Sequence, residues 1–111
     1  MASDLNYVQY VVDQIKTNGT ITYKKMFGEY LIYLNQKPVV MVCDNTAFVK
    51  MLDCIKHLME HTEKGFPYDG AKEHYIVNAD DSEHLSNVVT VLENNIPIPK
   101  KKKKSGYTRP I

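Results

Sequence analysis

A chain of 111 residues with 43% hydrophobic and 24% charged side chains has room for one core, which excludes a second domain and a disordered polymer alike. The formal net charge of +1 hides a division: residues 1–99 hold all 13 acidic side chains against eight basic ones, a net of −5, while residues 100–111 hold six basic side chains and no acid. Cys43 and Cys54 are too few for a disulfide scaffold, and no apolar run is long enough to cross a bilayer.

Ser3 and Asp4 are placed to cap a helix whose apolar residues, Leu5, Val8, Val11, Val12 and Ile15, recur at a spacing of three and four. Asn18-Gly19 is its expected stop, since both residues enter the left-handed region readily. From Thr20 to Met51 the chemistry turns to β. Ile21-Thr22-Tyr23 opens one strand, Tyr30 to Leu34 makes a second, Pro38 to Cys43 a third and Ala47 to Met51 a fourth. Asn35-Gln36 and Asp44-Asn45 are expected tight turns, so the region reads as an antiparallel meander. Pro38 fits the beginning of its strand, where a missing N–H does least harm.

A short helix is expected near Asp53 to Glu63, with Ile55, Leu58 and Met59 inward. Glu63 to Gly70 reads as a loop, because Gly65, Pro67, Asp69 and Gly70 break regular structure. Glu73 to Asn78 is a further strand. Asp80 is the expected cap of a last helix, with Glu83 completing a capping box and Leu85, Val88, Val89 and Leu92 as its buried stripe. The reading is therefore α+β in two layers, order α-β-β-β-β-α-β-α: an antiparallel sheet of about five strands with helices on one face. Residues 1–96 form the domain, and residues 97–111 are expected to be a flexible, lysine-rich tail.

The search for reaction chemistry is mostly negative. The chain has no Gly-x-Ser-x-Gly, no P-loop, no dinucleotide-binding glycine pattern and no zinc-ribbon cysteine pair. Cys54, His57 and His61 would share a helix face and are the best metal candidate. Three ligands from one short helix leave the fourth position unassigned, so a half-buried cysteine beside two surface histidines is preferred. No catalytic residue, metal or cofactor is expected. The tyrosines in strands, Tyr23, Tyr30, Tyr33 and Tyr75, are read as sheet packing rather than base-stacking platforms.

Lys100, Lys101, Lys102, Lys103 and Lys104, with Arg109, are the most unusual local feature. Five adjacent like charges stay extended and suit salt-sensitive, sequence-independent contact with a polyanion; a solubilising tail is the alternative.

Lys25-Met26-Phe27-Gly28, then Tyr30 to Leu34 and Lys37-Pro38-Val39-Val40, together resemble the N-terminal domain of the TfoX/Sxy family, whose members are associated with regulating competence for DNA uptake. The similarity runs on through Phe48-Val49-Lys50 and Phe66-Pro67-Tyr68 and covers about residues 4–95. The family pattern usually has a second glycine where this chain has Glu29. The resemblance implies a two-layer fold with an antiparallel sheet, related to secretion-chaperone-like folds, and a regulatory role in transcription through protein contacts. It supplies no catalytic residues. Lys25, Met26, Phe27, Gly28, Tyr30 and Tyr33 are then the expected partner-binding residues. A protein partner such as the transcription machinery is expected, with nucleic acid reached through the tail as the alternative. No membrane partner is expected, a homodimer is left open, and the cytoplasm is the expected compartment.

Overall fold

A computed structural model describes residues 4–26 and 29–97 of the chain. The expectations that rest on Ser3, Phe27, Gly28, Lys100 to Lys104 and Arg109 lie outside the described residues. In chain order the elements are α1 (Leu5–Gln14), β1 (Ile21–Met26), β2 (Glu29–Leu34), β3 (Lys37–Cys43), β4 (Thr46–Lys50), a 3-10 helix (Asp53–Leu58), β5 (Lys64–Gly65), β6 (His74–Val77) and α2 (Ser82–Asn95).

Strands β1 to β4 form the expected antiparallel meander. Asn35-Gln36 and Asp44-Asn45 make its second and third turns, and all four residues have φ between 51° and 70°. Such two-residue turns match the natural twist of the strands they join. Beyond β4 the sheet continues through β6 to β5, giving the order β1-β2-β3-β4-β6-β5. The sheet thus has six strands. The extra one, β5, comes out of the segment expected to be a loop. Gly65 permits it: a Cβ there would lie 3.1 Å from Ile76 Cδ1, so its bare backbone comes close to β6.

Register decides which side chains share a face. Ile32 and Leu34 of β2, Val40 and Val42 of β3, Ala47 and Val49 of β4, and Tyr75 and Val77 of β6 fall on one face. There they join Val8 and Val11 of α1, Ile55 and Met59, and the α2 stripe of Leu85, Val88, Val89 and Leu92 in a single core. The amphipathic faces of both helices are satisfied by this one side of the sheet. Opposite the Ile32–Tyr33 step the register shifts, so that Val39 and Val40 are both buried. One inserted residue turns the chain so that consecutive side chains face inward. Pro38 lies beside this bulge, near the start of β3.

Three local expectations need correction. Helix α1 ends at Gln14, not at Asn18-Gly19, because Ile15 is extended and 5% exposed: its side chain is drawn into the core. Gly19 serves a different purpose, a close approach in which a Cβ would sit 2.7 Å from Leu34 Cδ1. The middle helix is a 3-10 helix that stops at Leu58, tightened so that Ile55 and Met59 both reach the core while Leu58 is only partly buried. The cap of α2 is Asp81, whose side chain accepts from the His84 N–H at 3.2 Å. Asp80 instead accepts from the Tyr10 hydroxyl and ties the start of α2 to α1. Among the described residues no helix is long and apolar enough to cross a membrane.

Candidate functional site

The opposite face of the sheet is also apolar. Leu31 and Tyr33 of β2, Met41 and Cys43 of β3, Phe48 of β4 and Ile76 of β6 fall on it by the same registers. The buried side chains of the helices all belong to the core on the other side. What covers this face in part is the segment between β5 and β6. Tyr68 from that segment closes a groove of about 580 Å³ with Met26, Leu31, Met41 and Cys43, and with Glu29 at its rim. Leu31 and Met41 are half-buried, while Met26 is 38% and Tyr68 58% exposed. A shallower hollow of about 40 Å³ continues the stripe past Met41 to Phe48 and His74.

The floor of the groove is chemically quiet. Cys43 is 1% exposed, and its thiol is pushed up to about 11, first by burial and second by the negative charge of Glu29. A thiol held protonated is a small hydrophobe, not a nucleophile. The Glu29 carboxylate accepts from the Asp44 N–H at 3.2 Å and so braces the β3–β4 turn. His74 donates from Nδ1 to the Lys72 carbonyl at 2.8 Å and packs edge-on against Phe48, with centroids 6.4 Å apart. A carbonyl can only accept, so the bond fixes the proton on Nδ1. Two methionines, a leucine and a tyrosine form an adaptable apolar surface. Such a surface can seat apolar side chains.

The chain is 32% identical over 110 residues to the uncharacterized 12.7 kDa protein in the trpE 5′ region of Spirochaeta aurantia, across 97% of this chain and 96% of that one. It belongs to that protein's family. No family model matches the sequence, and no solved structure matches it.

Within this family member, the residues expected to bind a partner divide. Met26 and Tyr30 border the groove, although the Tyr30 side chain is held in the core on the other face. Tyr33 is half-buried on the open face, at the other end of β2. Lys25 is exposed on the edge strand and pairs with Tyr30 in register, which sets it on the helix-covered side. Phe27 and Gly28 lie outside the described residues, as do the tail cations. Tyr30 and Tyr75 are buried in the sheet core, in keeping with their reading as packing residues.

Cys54, His57 and His61 do not form a centre. Cys54 packs against the core, whereas His57 and His61 are exposed and line a separate polar cleft of about 650 Å³ with Asp81 and His84. Among the described residues no group of three histidine, cysteine or acidic side chains is placed to hold a metal ion. The 3-10 helix ends at Leu58, so it never carries His61 round to the face of Cys54. His84 donates from Nε2 to the Leu58 carbonyl at 2.8 Å, fastening α2 to the 3-10 helix.

Met41 and Cys43 were not singled out by motif, and Tyr68 entered only as part of Phe66-Pro67-Tyr68. The signal for Met41 and Cys43 is parity. Tyr30 to Leu34 and Val39 to Cys43 are apolar at both odd and even positions, which means two apolar faces, and two short helices cover only one.

Proposed function

We propose that this protein is a regulatory binding module, resembling the N-terminal domain of the TfoX/Sxy competence regulators, that acts through protein–protein contacts in transcriptional regulation. The observation that carries the reading is the apolar face that the helices leave uncovered, with its groove at Met26, Leu31, Met41 and Tyr68. Contiguous exposed apolar surface of this kind marks interaction sites on monomeric proteins. The groove coincides with Met26 and Tyr30 of the segment on which the resemblance rests. The reading is non-catalytic, since the buried thiol is held protonated and the Cys54, His57 and His61 side chains do not meet.

A photo-crosslinking amino acid placed at Met41, with a control at exposed Lys56, tests this in cells of the native organism. The expected result is one protein adduct specific to position 41, lost when Leu31→Asp is added, and identified by mass spectrometry as a component of transcription. The same adducts from both positions would sink the open-face reading. A specific partner outside transcription would sink its regulatory half.

The charge division favours a second reading, a nucleic-acid-associated protein anchored by its tail: residues 1–99 carry −5 and residues 100–111 carry +6. Anisotropy titration of full chain and residues 1–99 against duplex DNA, at two salt concentrations, separates the two. Tail-dependent binding that weakens with salt supports it. Equal weak binding by both chains removes it.

A further inference from the structure

Strand β1 ends the sheet, and among the described residues nothing pairs with its outer side. Five of its six residues are exposed, and it pairs with β2 without a bulge from Ile21 to Met26. The Thr20 carbonyl accepts from the Asn35 N–H at 2.8 Å, one step before the Ile21–Leu34 pair. Hydrogen bonding alternates along an antiparallel pair, so Thr22, Lys24 and Met26 turn their backbone groups toward β2. Ile21, Tyr23 and Lys25 turn theirs outward. A row of outward N–H and C=O groups is a template for another strand.

Lys24 and Lys25 are the only adjacent pair of basic residues within residues 1–99, and they sit on this edge with no acid on the strand. Both are exposed, and neither takes part in the Lys37–Glu93 ion pair that the structure contains. Consecutive strand residues point to opposite faces, so each face of the edge presents one cation.

Charge discriminates among three occupants. A second copy, paired antiparallel so that like faces meet over most of the strand, sets Lys24 opposite or diagonal to its own counterpart, which is destabilising. The chain's own tail carries +6 and no acid, so it is repelled. An extended segment with carboxylates on both faces is attracted on both. We propose that β1 is a docking edge for an acidic, extended segment of a partner protein, added to the sheet as a seventh strand with carboxylates against Lys24 and Lys25. This rests on the binding-module reading but uses the sheet's edge, not its open face.

The probe is a fluorescein-labelled peptide, Ser-Thr-Val-Glu-Glu-Val-Thr-Ser, compared by anisotropy with the same peptide carrying Lys-Lys in place of Glu-Glu. The full chain is expected to bind the acidic peptide at least roughly tenfold tighter at low salt, with the preference shrinking as salt rises. Tyr23→Pro removes an outward N–H and no bond to β2, and is expected to abolish binding. Lys24→Glu with Lys25→Glu, at exposed positions that leave the core intact, is expected to reverse the preference. Equal affinity for both peptides, no binding at about 1 mM (a ΔG near −4 kcal/mol), or binding that survives Tyr23→Pro would overturn the proposal, as would sedimentation showing a dimer that Tyr23→Pro dissolves. Met41→Asp, on the open face but two strands from Lys24, is expected to keep peptide binding while removing open-face contacts, so the two readings fail separately.

Discussion

The two faces of the sheet are made by the same strands from the same kinds of residue, and they have opposite fates. Ile32 is 0% exposed beneath the helices, whereas Leu31, its neighbour in the chain, stays half-buried on the other side. Val42 and Met41 repeat the contrast one strand over. Hydrophobic stabilisation scales with apolar area removed from water, so the covered face holds the fold together and the open face contributes less than its composition suggests. Apolar side chains that add little to folding are available for binding.

The largest expected effect tests that division directly. Ile32→Ala should cost about 3 kcal/mol of unfolding free energy, within the range for large-to-small core substitutions. Leu31→Ala should cost about 1 kcal/mol, because its side chain loses less burial. Urea denaturation of both variants measures the difference. Equal losses would mean that the open face is as structural as the covered one, and would remove the basis for reading it as a binding surface.

Gly19→Ala comes next, and it probes how tightly the covered face is closed at its margin. The new Cβ would meet Leu34 Cδ1 at 2.7 Å and the Asn35 side chain at 2.8 Å. Leu34 is 2% exposed, and Asn35 Oδ1 accepts from the Thr20 N–H at 3.0 Å. Neither neighbour moves without losing packing or a hydrogen bond. A loss of about 1–2 kcal/mol is expected by the same denaturation measurement. A neutral substitution would show that this margin yields.

The covering layer itself depends on the start of α2. Asp81→Ala should cost about 1 kcal/mol through the lost cap bond to the His84 N–H. It should lower the thermal midpoint without changing the groove. An unchanged midpoint would place the start of the helix elsewhere.

Much of this architecture was legible in the sequence, and the misses have physical causes. Runs of branched and aromatic residues between tight turns gave the meander, and the α2 stripe gave the covering helix. The cap of α2 was misplaced by one residue because Asp80 and Asp81 are chemically equivalent caps in one dimension. Only the tertiary bond from Tyr10 to Asp80 separates their roles. Strand β5 was invisible because a two-residue strand has no period, and its cause is the bare backbone of Gly65 against Ile76. The groove was half legible. Met26 and Tyr30 fell in a recognisable segment, but Tyr68 reaches them from a loop almost forty residues away, a distance no local pattern spans.

Cys43 and Phe48 are the exceptions to the two-face contrast, both buried on the open face, and Cys43 gives the one effect that depends on pH. It lies on the open face by register yet is 1% exposed, beneath the groove. Its thiol is raised in the folded protein from 9.0 to about 11, by burial first and by Glu29 second. Below pH 9 both folded and unfolded chains keep this proton, so it has no influence on stability. Between about 9 and about 11 the unfolded chain releases the proton while the folded chain holds it. The unfolded state then binds fewer protons, and stability falls as pH rises. Lysines and tyrosines titrate in the same window, so the comparison is with Cys43→Ala. The wild-type protein should lose more stability than Cys43→Ala between pH 8 and pH 10.5 in paired urea melts. Parallel losses would mean that water reaches the thiol through the groove, and that the floor of the open face is wetter than its 1% exposure implies.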